Sequence, residues 1–100
     1  MEFILFNEQD IRIGDVVGYR VWNDNHSSTF YKWRIDKMRV DEMEYNVDIL
    51  IWSPFKKNWV LLHEEIEYIE HTDNKGVIHY YRKNKYGNWE EFFKSGVNNS

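Results

Sequence analysis

The run from Tyr45 to Trp59 constrains the fold most. Apolar residues alternate at Val47, Ile49 and Ile51, with Asp48 and Leu50 between them, and this period of two predicts a β-strand. Val47, Ile49 and Ile51 then share one face, and Leu50 and Trp52 share the other. Pro54, the chain's only proline, ends the strand because it cannot donate to a ladder. Two large aromatics, Trp52 and Phe55, therefore sit at and just past a strand end. Each must pack under a flanking segment or line a surface pocket.

Composition agrees with a β fold. The chain has no alanine, the best helix former, and is rich in Val, Ile, Tyr, Trp and Phe. One hundred residues suffice for a single domain with one modest core. Aromatics make up 18% of the residues, so several of them must be core. Thirteen basic against seventeen acidic residues give a net charge of −4, which argues against broad binding to duplex nucleic acid. The absence of cysteine excludes a disulfide framework and thiolate zinc sites, and fits a reducing compartment. The opening Met1-Glu2-Phe3-Ile4-Leu5-Phe6 has no basic n-region, and its apolar run is too short for a signal peptide or membrane span. The expectation is a soluble, intracellular (cytoplasmic) protein without a membrane partner.

Taken in order, Phe3 to Phe6 reads as an edge strand and Gly14-Asp15 as a turn pair. Val16 to Trp22 is the first long strand, with Val17, Tyr19 and Val21 on one face. Asn23 to Ser28 is a loop of residues that hydrogen-bond their own backbone. Phe30 to Val40 reads as one second strand, with Tyr31, Trp33 and Ile35 alternating with Lys32, Arg34 and Asp36. After the central strand come a hairpin loop at 53–58, a strand from Trp59 to Leu62, a 3₁₀-sized step at His63-Glu64-Glu65, and a strand from Ile66 to Glu70. Asp73-Asn74-Lys75-Gly76 turns the chain into a strand from Val77 to Arg82. The segment 88–96 reads two ways. As a short helix it has Asn88 at the N-cap, Glu91 at N3 and Gly96 at C′; as a strand it pairs with 77–82.

This order of parts resembles a Tudor domain, a five-stranded SH3-like barrel. The residues that carry the resemblance are Gly14-Asp15, the run Tyr31-Lys32-Trp33-Arg34-Ile35, Val47 to Trp52, Phe55 to Asn58, and His63-Glu64-Glu65-Ile66. It covers residues 11–70, and 71–96 form a C-terminal extension of the same domain. The fold class it implies is mostly β: a small SH3/Tudor-like barrel with an added strand and a short helix or hairpin. It also implies an aromatic cage of Trp22, Tyr31, Trp52 and Phe55, with Asn58 as polar partner. Trp22 needs a bulge to face the others. Such rings attract a methylated Lys or Arg head through their quadrupoles. The function expected is a non-enzymatic module that binds a peptide or cationic side chain.

Two alternatives rest on other residues. Lys32, Arg34, Lys56 and Lys57, interleaved with aromatics, suit a single-stranded nucleic-acid binder. Tyr86, Trp89 and Phe92, among the C-terminal aromatics, suit a surface for a protein partner or a homodimer, and an acidic phage or mobile-element factor that modulates a host enzyme has this composition. His63-Glu64-Glu65 lacks the second histidine of a helical zinc motif, and only His71 and His79 come near each other across a turn. No cofactor or metal is expected. The five serines fall in loops or the tail with no anchored base, so no catalytic residue is assigned.

Overall fold

The computed structural model describes residues 6–96. A 3₁₀ turn (Glu8–Asp10) leads to eight strands: β1 (Val16–Trp22), β2 (Ser28–Arg34), β3 (Met38–Glu42), β4 (Val47–Ser53), β5 (Asn58–Leu61), β6 (Tyr68–Thr72), β7 (Ile78–Lys83) and β8 (Trp89–Ser95). One helical turn, α1 (Leu62–Glu65), joins β5 to β6. All pairing is antiparallel, in a five-stranded sheet ordered β2-β1-β6-β7-β8 and a three-stranded sheet ordered β3-β4-β5.

The core lies between the sheets. Val17, Tyr19, Trp33, Ile69, Tyr81 and Trp89 enter it from the larger sheet, and Ile49, Ile51 and Val60 from the smaller. The alternation read at Val47, Ile49 and Ile51 holds at Ile49 and Ile51, which are buried; Val47 at the strand's start is exposed. Leu62 and Ile66 flank α1 and are fully buried, which pins the crossover between sheets. At about 25 cal/mol per Å² of apolar surface removed from water, each such side chain contributes roughly 2–3 kcal/mol.

The structure departs from the sequence reading at residues 35–37 and 63–67, and decides between the two readings of 88–96. The second strand, expected as one element from Phe30 to Val40, breaks at residues 35–37. Ile35 is buried, and its N–H donates to the Asp15 carbonyl (2.8 Å) while its own carbonyl accepts from Gly14 (2.9 Å). The chain thereby leaves β1 and crosses to pair with β4 as β3. As a result, among the described residues the strands form two sheets and no ladder closes them into a barrel. The step at His63-Glu64-Glu65 is an α rather than a 3₁₀ turn, and the following strand starts at Tyr68, two residues later than expected.

The segment 88–96 is a strand, not a helix. Asn84 decides this: its side-chain oxygen accepts from Tyr86 (2.8 Å) and Asn88 (3.0 Å), its N–H donates to the Asn88 carbonyl (2.8 Å), and Gly87 takes a φ of 82°. Asn88 is thus locked into a hairpin turn and cannot cap a helix. The expected edge strand at Phe3–Phe6 lies outside the described residues except for Phe6, which is buried against Tyr81 and His71 (ring centroids 4.7 and 5.4 Å). No helix among the described residues is long and apolar enough to cross a membrane.

Candidate functional site

The four rings expected to form a cage do not converge. In the β1–β2 register Tyr31 opposes Tyr19 while Trp22 opposes Ser28, so Tyr31 and Trp22 project from opposite faces of the sheet. Trp22 is 64% exposed, with the Arg20 guanidinium 5.9 Å from its ring centroid. Trp52 packs edge-on against its cross-strand partner Trp59 (5.5 Å), and Lys37 and Arg39 cover these two rings at 5.4 and 5.1 Å. Only Tyr31 and Phe55 meet (5.0 Å). Asn58 accepts from the N–H of Trp59 (2.8 Å) at the start of β5.

Tyr31 and Phe55 do belong to a cluster, but with rings the cage reading omitted. Tyr19 stacks on Tyr31 at 5.3 Å, and Trp33 meets Tyr19 at 5.5 Å and Phe55 at 5.8 Å. The cation beside this cluster is the chain's own. Lys56 Nζ lies 4.9 Å from the Tyr19 ring centroid and pairs with Glu65 at 2.9 Å. Burial acts to raise the Glu65 pKa, but Lys56 and the Leu61 N–H outweigh it and hold the carboxyl below its usual value. Tyr19 and Trp33 are buried, so the cluster closes the end of the core beneath Phe55.

The outward face of the five-stranded sheet is different. Alternation away from Val17, Trp33, Ile69 and Tyr81 puts Arg20 and Trp22 of β1, Phe30 and Lys32 of β2, Tyr68 and Glu70 of β6, and Tyr80 and Arg82 of β7 on it. On β8 the ladder slips where Tyr80 pairs with Phe93 but Tyr81 pairs with Glu91. This bulge turns both Phe92 and Phe93 toward Tyr80 (6.3 and 5.4 Å). Phe30 meets Tyr68 edge-on at 5.8 Å, and Tyr68 meets Phe92 at 6.2 Å. Together the three rings form an aromatic track across the sheet.

Each ring of the track carries a cation. Arg20 lies 5.6 Å from the Phe30 centroid, Lys32 lies 5.2 Å from Tyr68, and Arg82 lies 5.1 Å from Phe92. Arg20 also donates to Ser28 (2.6 Å), and Lys32 pairs with Glu70 (2.5 Å). The Tyr68 hydroxyl donates to the same carboxylate (2.5 Å); burial first, then this bond, raises its pKa above the usual tyrosine value. A groove of about 600 Å³ runs along the track, with Ile66 in its floor and Lys83, Glu64 and Glu67 at its rim. Burial lowers the Lys83 pKa, and its ammonium covers the Trp89 ring at 5.1 Å.

The remaining expected residues fall in several places. Lys32 lies on the track's face, and Arg34 on the same face donates to the Gly14 carbonyl (2.7 Å). Lys56 is engaged with Tyr19 and Glu65, and Lys57 occupies the β4–β5 turn at a φ of 52°. Lys56 and Lys57 thus do not join Lys32 and Arg34 on one face. Of the C-terminal aromatics, Tyr86 and Phe92 are exposed, but Trp89 is in the core. Its indole N–H donates to Glu8 at 2.7 Å, because alternation back from Tyr81 turns it inward. Glu8 also meets His63 (2.9 Å), so the smaller pocket of about 340 Å³ around Glu8, His63 and Trp89 holds polar groups already paired with one another.

His71 and His79 are cross-strand partners, but each is held by carboxylates. His71 meets buried Asp15 (2.7 Å); His79 lies between Asp73 (2.8 Å) and Glu91. Among the described residues no group of three or more His, Cys, Asp or Glu side chains is placed to hold a metal ion. No protein-family model, curated protein or solved structure matches the chain.

The residues that sequence reading missed are Phe30, Tyr68, Arg20 and Arg82. Only the long-range pairing of β1 with β6 brings them together, and no local pattern signals that pairing.

Proposed function

We propose that this chain is a small, non-enzymatic binding module of SH3-like architecture, which engages its partner through the outward face of the five-stranded sheet. The strand order supports the architecture. β1 pairs with β2, the chain crosses at 35–37 to β3-β4-β5, and α1 returns it to pair β6 with β1, leaving β7 and β8 as an added hairpin. This order supports an SH3-like path that is left open between its two sheets.

One observation carries the functional reading: Phe30, Tyr68 and Phe92 form a continuous aromatic track, and every ring in it has a cation over or beside it. Aromatic residues and arginine are the residue types that anchor binding surfaces. The arrangement also supports an anionic ligand over a cationic one. A methylated lysine or arginine head would meet Arg20, Lys32 and Arg82 at like charge, whereas an anionic partner gains from all three. At the Tyr31–Phe55 cluster Lys56 stands where a ligand's cation would go.

Calorimetric titration with poly-L-glutamate and with a trimethyllysine peptide separates the two. The expected result is binding of the polyanion, weakened several-fold by Arg82→Gln, and no heat from the trimethyllysine peptide. Binding of the trimethyllysine peptide that is lost in Phe55→Ala would overturn the assignment and restore the cation pocket.

A further inference from the structure

Resting on that reading, we infer that the ligand of the Phe30–Tyr68–Phe92 track is single-stranded nucleic acid, its bases stacking on the rings and its phosphates meeting Arg20, Lys32 and Arg82. The geometry has the two parts such binding needs. Three rings lie at successive centroid spacings of 5.8 and 6.2 Å across the sheet, all beside one open groove. Stacking accepts any base, because every base has a π-face. Arg20, Lys32 and Arg82 lie over those same rings at 5.1–5.6 Å, so each ring has a positive group within reach of a bound strand's phosphates.

Charge is segregated in the way this requires. The outward face carries Arg20, Lys32, Arg34 and Arg82 against Glu70 and Glu90, although the whole chain has a net charge of −4. Lys32 and Tyr68 both engage Glu70, which draws that carboxylate's charge down onto its neighbours. Glu64 and Glu67 stand at one rim of the groove and bound the track on that side. A duplex does not fit this chemistry. Its bases are already stacked on one another, and its affinity comes from phosphate neutralisation, which an acidic domain with three such cations supplies weakly.

The aromatic track also distinguishes a nucleic acid from an acidic peptide. Both bring negative charge, but only the first brings a planar ring with each charge. Beneath the track, Gly18 leaves room for the Phe30 ring, since a Cβ at that position would fall 2.4 Å from Phe30 Cζ.

The test is fluorescence anisotropy of the full chain with a labelled oligothymidylate of about eight nucleotides, with poly-L-glutamate as a competitor and a salt series. The inference predicts binding that poly-L-glutamate displaces at least tenfold less well than unlabelled oligonucleotide. It also predicts a log–log salt slope of about −2, as expected for three phosphates on a single strand. Phe92→Ala should weaken the oligonucleotide about tenfold, and Arg82→Gln should weaken it and flatten the slope. Both side chains are exposed, and thermal melts of both variants control for folding. If poly-L-glutamate binds but the oligonucleotide does not, or if the two compete equally and Phe92→Ala changes neither, the nucleic-acid inference fails and the anionic-ligand module stands. If neither binds, both fail.

Discussion

The ring of Phe30 lies directly over the backbone of Gly18, so close that a Cβ built on Gly18 would stand 2.4 Å from Phe30 Cζ. Gly18 is diagonal to Phe30 across the β1–β2 ladder and has no side chain of its own to cover that stretch of sheet. The aromatic ring does so instead, offsetting the usual cost of glycine within a strand. Gly18→Ala should therefore lift the ring off the sheet. The expected result is a loss of about 1 kcal/mol in urea unfolding, with weaker binding of the polyanionic ligand. Unchanged stability and an unchanged Phe30 ring environment would contradict it.

A second prediction concerns Asp15, which is buried and accepts from the Arg12 N–H (3.1 Å) and the His71 ring (2.7 Å). Removing the carboxylate leaves the buried His71 ring without its partner and the Arg12 N–H without its acceptor. Asp15→Ala should cost about 2–4 kcal/mol. A cost under about 0.5 kcal/mol would show that this network does not help to hold the loop before β1.

His79 gives the fold a pH dependence. Burial of its ring opposes the charged form, but hydrogen bonds to Asp73 and Glu91 outweigh this and raise its pKa above the ordinary 6.5. The hydrogen bond from His79 leads the causes that bring Asp73 from 3.8 down to about 2. The histidine's contribution is therefore complete below pH 6.5 and is lost as pH rises through its raised folded value. That of Asp73 is complete above pH 3.8 and is lost as pH falls through about 2. Unfolding midpoints of the wild-type chain and of His79→Gln should differ most between these limits and converge at alkaline pH. Parallel curves would refute the role given to His79.

Lys57 is the only described residue other than glycine with a positive φ, at 52°. An L-residue pays roughly 1 kcal/mol to sit there, and glycine does not. Lys57→Gly should therefore leave stability unchanged or raise it by up to about 1 kcal/mol, since the greater freedom of the unfolded chain offsets part of the gain. A clear drop in melting temperature would mean that the ammonium, not the turn, is what matters at this position.

How far the sequence reveals this molecule depends on the range of the interactions involved. β1 and β4 are legible because their apolar alternation is local and their ends carry Asn23-Asp24-Asn25 and Pro54. The break at 35–37 is not, because Tyr31, Trp33 and Ile35 keep alternating while the chain changes partner from β1 to β4. At 88–96 the same residues satisfy a capped helix and a strand, and Asn84 with Gly87 settles the matter from outside the segment. The proposed cage fails for a related reason. The resemblance nominates Trp22 and Tyr31 and asks for a bulge at Trp22, but the hairpin register runs without one and leaves them on opposite faces. Phe30, Tyr68 and Phe92 are far apart in the chain and meet only through the β1–β6 and β6–β7–β8 pairings.

Ring-resolved aromatic NMR during titration with an unlabelled oligothymidylate tests the central claim most directly. The account predicts that the resonances of Phe30, Tyr68 and Phe92 move together and saturate together, while those of Tyr31, Phe55, Trp52 and Trp59 stay in place. Movement confined to Tyr31 and Phe55, with the sheet's outward face unperturbed, would contradict it.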